Sequence, residues 1–575
     1  MSPETVYAFL TRLFPDGTRP EQSPGCDKAP SLPTDVFAAA ASLVERCEVY
    51  RHVMAFEGVA SAAGAPGELV VSPSERQTWM DLGARWRESP KDAAADIQAY
   101  WDRLMNAGTA RVDGVQGEAC PAWWRDALAL LVIADEASLG LGFAAPTLHW
   151  SELLLRDASY REEAFEDAAA GHIVQTKAPD SFCFRASPYV ARVVPKSRAP
   201  RVGCTMRTLS HNLALLAPRS SAAVSWLRKA SSAQDGGKAL NILVVPFPYT
   251  IEARCFSGRP VDVAGVDESW GFFDIEQRWL LADGVESADS RAQQRERIVT
   301  FILDLVARAQ EDVARVDAIV LPEGALDWPC YRKLVEALRE RQTTSPLEFI
   351  ISGASGFRDD PNNFVLTTTF SQTEDGWVAV TNGQAKHHRW RLDERQIRTY
   401  ALGSALDPSR SWWEQIAVDA RRIGLTVFRR HSSFAAMICE DLARSEPCHA
   451  AIRAAGPNLV FALLMDGPQL PQRWAAQYAT VLADDPGSSV LTLTSLGLIE
   501  RSNMSRQGQA SRTVALWKDG DVGTVPLDLP AGRHAILLTL TSASASEITL
   551  DGRKNDDAVS WRYSGHQYVT SRNGI

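Results

Sequence analysis

Apolar positions follow two different rhythms along this chain, and the change comes near residue 236. Before it they recur every three to four residues, the period of a helix with one buried face. Thr34 to Met54 carries Val36, Phe37, Ala40, Leu43, Val44 and Cys47 at that spacing, behind a Thr34-Asp35 start that reads as an N-cap. The period returns in Gln77 to Glu88, Ala93 to Met105, Ala122 to Ala137 and Leu148 to Arg156, which predicts a mainly α-helical domain over residues 1–165. Residues 166–236 read as a mixed connecting segment. Pro188, Pro195 and Pro200 break any long helix there, so Ser181 to Val194 and Val202 to Leu216 are expected as strands and loops, leading into a short helix, Ser220 to Ala233. Ser231-Ser232-Ala233-Gln234-Asp235-Gly236-Gly237 reads as a linker.

After that point the apolar residues come in short unbroken runs between turn residues, the mark of buried strands. Three of these lead into a reactive side chain. Asp317-Ala318-Ile319-Val320-Leu321-Pro322 runs into Glu323, the strand-like Trp377-Val378-Ala379-Val380 leads through Gly383-Gln384-Ala385 to Lys386, and Phe434-Ala435-Ala436-Met437-Ile438 stops at Cys439. In an α/β fold the carboxyl ends of neighbouring strands converge on one crevice, so a carboxylate, an ammonium and a thiol are expected together.

Those three groups make chemical sense as a set. Attack on an amide or nitrile carbon needs a thiolate, and a thiol of ordinary pKa, about 8.5, is mostly protonated at neutral pH. Glu323 is the candidate general base for that proton. A developing oxyanion needs a positive partner and a backbone N–H, for which Lys386 and the amide of Glu440 are the candidates.

This arrangement resembles the nitrilase, or carbon–nitrogen hydrolase, superfamily, whose Glu–Lys–Cys triad sits on the same three loops in the same order. The likeness runs from about residue 238 to about 550. Ile438-Cys439-Glu440-Asp441-Leu442 is similar to the cysteine elbow in the glutaminase modules of NAD synthetases. Ala450 to Leu470, Arg473 to Asp485 and Ser489 to Leu496 are similar to the helices and strands that follow it. The resemblance implies a four-layer α-β-β-α sandwich over residues 237–575, preceded by the helical domain. It implies a thiol-dependent hydrolase of a non-peptide carbon–nitrogen bond in a small amide or nitrile, with no cofactor and no metal. It also implies a second glutamate about eight positions after the lysine, which points to Glu394 as a fourth site residue. Members of the superfamily pair through the face near the cysteine elbow and exchange C-terminal tails, so a homo-oligomer is expected, with Asp551 to Ile575 as the tail.

Two segments of the N-terminal region, Asp135 to Phe143 and Val194 to Asn212, are similar to stretches in bacterial antiviral systems in which a nitrilase module accompanies a reverse transcriptase. This implies a phage-defence setting with a polymerase partner. The chain is not itself that polymerase. Leu482-Ala483-Asp484-Asp485 mimics metal-binding aspartates but ends a helix and is followed by the stop signal Pro486-Gly487.

The departures matter as much. Cys255 to Ser290 is a long insertion carrying Trp270, Phe272, Phe273, Trp279 and Leu280, which reads as a packed lid or an interface. His387, His388, Arg389, Trp390 and Arg391 crowd behind Lys386 and read as a selector for an anionic substrate, a dock for an acidic partner, or a solvated loop. Cys448-His449 lacks the further ligands of a zinc site, and Cys204 reads as a small buried residue. A papain-like pairing of His431 with Cys439 fails on reach, since the intervening strand spans over about 25 Å.

Composition sets outer limits. At 575 residues the chain exceeds a single core, and 45% hydrophobic with 23% charged residues is ordinary for a globular protein. The net charge of −10 argues against general nucleic-acid binding. No run approaches a membrane span, and the start has no signal-peptide pattern. Nine scattered cysteines then point to reduced thiols and a cytoplasmic location. A rival function of another class is a nitrilase fold kept as a silent binding or assembly module.

Overall fold

The computed structural model describes residues 4–15, 26–55, 67–112, 120–143, 175–178, 180–197, 199, 203–218, 222–229, 239–261, 269–282, 286–373, 376–417, 421–506 and 508–575. The helix expected at Leu148 to Arg156 and the linker expected at Ser231 to Gly237 lie outside the described residues.

The first helices are α1 (Val6–Leu13), α2 (Pro33–Arg46), α3 (Pro73–Glu88), α4 (Pro90–Asn106) and α5 (Ala122–Ala137), with two short parallel strands, β1 (Val53–Ala55) and β2 (Leu69–Val71). Three of them begin with proline at the first turn, where its missing N–H costs nothing. A reciprocal Ser72–Glu75 capping box also closes α3. α5 is buried on nearly every side because α2, α3 and α4 all pack on it. α2 differs from expectation at both ends. Leu32 is its N-cap and Asp35 lies inside, where its carboxylate accepts the backbone N–H groups of Phe184, Arg185 and Ala186. The helix ends at Arg46 rather than running to Met54, since Glu48 turns left-handed and Val53 pairs in β1.

The connecting segment contributes strands. β3 (Gln175–Ala178), β4 (Arg192–Pro195), β5 (Leu213–Leu216) and β6 (Ala223–Lys229) follow in order. β6 replaces the helix expected at Ser220 to Ala233. Its Val224 and Trp226 alternate inward with period two, and Trp226 is anchored by its indole N–H to Gly142 O at 2.8 Å.

The remaining chain builds two large sheets. Its elements are β7 (Ala239–Val244), β8 (Phe256–Val261), β9 (Trp270–Ile275), α6 (Ala288–Ala309), β10 (Ala318–Val320), β11 (Leu326–Asp327), α7 (Trp328–Glu340), β12 (Phe349–Ser355), β13 (Asn363–Thr373) and β14 (Gly376–Ala385). Then come β15 (Arg391–Leu392), α8 (Glu394–Thr399), β16 (Ser411–Glu414), β17 (Arg422–Arg429), β18 (Ser432–Ile438), α9 (Ala450–Ala455), β19 (Leu459–Leu464) and α10 (Trp474–Asp484). The chain closes with β20 (Ser489–Thr494), α11 (Leu496–Ser505), β21 (Thr513–Asp519), β22 (Gly523–Asp528), β23 (Ala535–Ile548) and β24 (Lys554–Val569).

One sheet runs β14-β13-β12-β10-β7-β23-β24 and the other β22-β21-β20-β19-β18-β17-β6-β3. Alternation along the central strands decides the layering. Leu243, Ile319 and Ile350 pack with α6 and α7, whereas Ile242, Val320 and Phe349 join the core shared with the second sheet. Phe349 meets Phe428, Phe434 and Phe461 across that seam, and α9 and α10 pack on the far side of the second sheet with the N-terminal helices. The result is an α/β sandwich in four layers, with β6 and β3 extending one sheet.

The C-terminal segment is not a loose tail. β24 pairs along its length with β23, Trp561 is buried against Phe428, and its carbonyl accepts from Ser489 Oγ at 2.6 Å. The two N-terminal segments compared above with antiviral systems meet each other: Asp135 accepts the backbone N–H groups of His211, Asn212 and Leu213. No helix among the described residues is long and apolar enough to cross a membrane.

Candidate active site

Glu323 sits just past β10, on a loop that presses against β12. Gly353 makes this approach possible, since a Cβ there would come within 2.4 Å of Glu323 Cα. Lys386 follows β14 and is pinned by its backbone N–H to Asn363 O at 2.8 Å. Cys439 follows β18 and takes φ +42°, a left-handed conformation that a cysteine adopts only under restraint. The elbow is held by Asp441, fully buried, which accepts the backbone N–H of His387 at 3.1 Å and lies 2.8 Å from His388 Nδ1.

These elements bring three of the anticipated groups together. Lys386 Nζ lies 2.8 Å from Glu323 Oε1, and Cys439 interacts electrostatically with both. All are buried, Cys439 being only 3% exposed. The amide of Glu440 opens the 3-10 turn Cys439–Ala443, where an N–H has no partner within the turn. A further group was not foreseen: the backbone N–H of Met465 lies near the Cys439 sulfur and favours its thiolate form.

Glu394 does not join them. It lies at the first turn of α8, its side chain 60% exposed and paired with Arg398. The second carboxylate is Glu414, on β16, with Oε2 at 2.6 Å from Lys386 Nζ. Glu414 lies twenty positions after Glu394, beyond α8 and the loop that follows it, so spacing alone misplaces it. The signal that was available is an acid closing the aromatic run Trp412-Trp413, whose buried member faces the core.

The insertion explains how Glu414 arrives. β8 and β9 form a small sheet with β15 and β16, in the order β15-β16-β9-β8, over an aromatic cluster of Phe256, Phe273, Trp390, Tyr400 and Trp412 that also includes Met465. Gln277 Nε2 donates to Gly324 O and Leu326 O at 2.7 Å each, and Trp279 Nε1 to Ala325 O at 3.0 Å, tying the covering sheet to the Glu323 loop. The basic cluster after Lys386 is used inward. His387 Nε2 meets Arg422 O at 2.8 Å, the Trp390 N–H donates to Glu414 Oε2 at 3.0 Å, and Arg389 donates to Glu414 O at 2.8 Å. These contacts support the site rather than form an anion dock. Cys448 lies 3.5 Å from His387 Nδ1 and His449 Nε2 2.6 Å from Leu442 O. Cys204, expected buried, is exposed.

The electrostatics are those of a site with one negative charge in excess. Burial pushes the Cys439 thiol well above its usual range, the Glu323 carboxylate pushes it further, and Lys386 opposes both. Burial also raises Glu323 against the pull of Lys386. For Lys386 burial works downward, but Glu323 and Glu414 outweigh it and hold the ammonium charged.

The chain is similar to solved members of the nitrilase superfamily. They include Nit3 of Saccharomyces cerevisiae, at 9% identity and a TM-score of 0.27, over 60% of this chain and 94% of that one. An amidase of Nesterenkonia AN1 matches at 11% and 0.27, over 52% and 94%, and a carbon–nitrogen hydrolase of Helicobacter pylori G27 at 9% and 0.24, over 58% and 88%. No family model and no curated protein matches the chain. At such identities and scores the functional argument rests on the geometry above.

Proposed function

We propose that the chain is a thiol-dependent hydrolase of a non-peptide carbon–nitrogen bond. The observation that carries this reading is a thiol on a left-handed elbow beside an ammonium clamped between two buried carboxylates. A purely structural Lys–Glu pair needs no second acid and no nucleophile next to it.

Each group has one task. The thiol is too basic to ionise by itself, so Glu323 takes its proton as the sulfur attacks the carbonyl carbon. The oxyanion forms against Lys386 and the Glu440 N–H, both fixed before the reaction begins. Glu414 keeps Lys386 charged and aimed. The proton on Glu323 then passes to the departing nitrogen, leaving an acyl thioester on Cys439. Water, deprotonated by Glu323, clears the thioester and restores the thiol.

The test is intact-mass spectrometry after incubation with a panel of amides and activated esters. An acyl adduct should appear on the wild type and be absent from Cys439→Ala. No adduct from any compound would favour a silent binding module instead.

A further inference from the structure

Two buried acceptors in this site have no hydrogen-bond partner, Glu323 Oε2 and Asn363 Oδ1. Their sister atoms are fully engaged. Glu323 Oε1 accepts from Lys386 Nζ at 2.8 Å and from Asn363 Nδ2 at 2.8 Å, and Asn363 Nδ2 also leans toward Glu414 Oε1 at 3.5 Å. The orientation of the Asn363 amide is dictated by its neighbours: an ionised carboxylate only accepts, so the nitrogen must face Glu323 and the oxygen must turn away from it. Asn363 thus directs its donor to one oxygen of the base and leaves two acceptors, its own and the base's other oxygen, without donors.

An unpaired buried acceptor is costly to a fold. Folds retain such atoms where something else provides the donors. A nitrile brings no N–H, and an N-substituted amide brings one. A primary carboxamide brings two on one nitrogen, beside the carbon that the sulfur must reach. Resting on the thiol-hydrolase reading above, we propose that Glu323 Oε2 and Asn363 Oδ1 together receive the NH2 group of a primary carboxamide, and that Asn363 sets this preference. The atoms balance: the thiol proton moves to Glu323 Oε2, the S–C bond forms, and the C–N bond breaks as that proton returns to nitrogen. Ammonia leaves, and water completes the cycle.

The experiment compares, for acetyl, hexanoyl, phenylacetyl and succinyl groups, the primary amide, the N-methyl amide and the p-nitrophenyl ester of each, with full-length protein. For at least one acyl group the wild type should favour the primary amide over the N-methyl amide by about 100-fold in kcat/KM, the scale expected when a site's polar groups are left unpaired by the wrong substrate. Asn363→Leu should bring that ratio to within about ten-fold, with the amide arm falling further than the ester arm. A folding defect would lower all arms alike and leave the ratio unmoved. Should Asn363→Leu be insoluble, Asn363→Ala decides, because it removes the same acceptor without added bulk and must lower the preference in the same way. Ester acylation of Cys439 with no amide preference in the wild type overturns this proposal alone. Absence of acylation by every ester removes the hydrolase reading beneath it.

Discussion

Two of the buried charge clusters among the described residues, one around Arg553 and one around Lys386, hold different things. In the N-terminal half, Asp135 accepts three backbone N–H groups and the Arg553 guanidinium, at 2.7 to 3.0 Å. Arg553 in turn donates to Asp551, Glu136 and Leu209 O. Asp135, Glu136 and His211 bring ligand atoms within 4.8 Å of one another, a spacing that suits a metal ion, yet the guanidinium already bridges both carboxylates. Around Lys386 carboxylates also share one cation, but here a thiol in a strained conformation stands beside them, with two bare acceptors, Glu323 Oε2 and Asn363 Oδ1. The first cluster gathers three carboxylates on one guanidinium, holds no nucleophile, and locks helix α5 to the C-terminal hairpin. The second keeps charge and strain in reserve, as sites that do chemistry tend to.

The sharpest break in that comparison is Glu323→Gln. Loss of the base should slow Cys439 acylation by about 10²–10⁴-fold. Its stability should not fall with it. Burial raises the Glu323 pKa in the folded state, so the folded protein binds the proton more tightly than the unfolded chain. Stability is therefore lost as pH rises from the unfolded pKa through the folded one, and the cost is complete above that window. Glutamine mimics the protonated form, so urea denaturation at neutral pH should show the variant at least as stable as wild type. A large loss of stability would mean that the site is structural.

Arg553→Leu should do the opposite. Removing the guanidinium leaves Asp135 and Asp551 buried without it, a change that costs about 3–5 kcal/mol. The urea midpoint should drop accordingly, and a variant of wild-type stability would show that the cluster does not brace the two halves.

A smaller effect separates the two glutamates. Glu414→Gln should slow acylation by about 10–100-fold, as misorienting a neighbouring charged group does. Glu394→Gln, on an exposed turn, should stay within about two-fold of wild type. Equal effects would return Glu394 to the site.

The contrast also explains what could be read before the fold was known. Glu323, Lys386 and Cys439 were legible because each follows the end of a strand, buried in β10 and β18 and half-buried in β14, and strand ends converge by topology. α5 was found to the residue because its apolar face is uninterrupted between Pro121 and Ser138. Glu414 was not legible: it depends on β16 pairing with β9, a contact between strands separated in sequence by every element from α6 to α8. Asn363 and the Met465 N–H were missed for a related reason, since an amide and a backbone donor announce nothing until the loops close around a carboxylate and a thiol. β6 was mistaken for a helix because seven residues with two inward apolar positions fit either period.

Lys196 offers the finest test, because burial brings its charge into a range where pH can remove it. Its ammonium contacts Glu547 Oε1 at 2.8 Å and Arg207 O at 2.9 Å, yet burial brings its pKa down to about 8. The unfolded lysine titrates near 10.4. Below pH 8 both states hold the proton and the folded state bears the cost of burying it. Between pH 8 and about 10.4 the folded state has shed a proton that the unfolded chain still binds, so this group's contribution to stability rises with pH. Comparing urea midpoints of wild type and Lys196→Met at pH 7.5 and pH 10 should therefore show wild type gaining about 1–3 kcal/mol on the variant. The same comparison for Arg553→Leu should stay flat, since a guanidinium remains charged throughout that range. A gain at Arg553 and none at Lys196 would mean that the Arg553 cluster, not the lysine, carries the alkaline response.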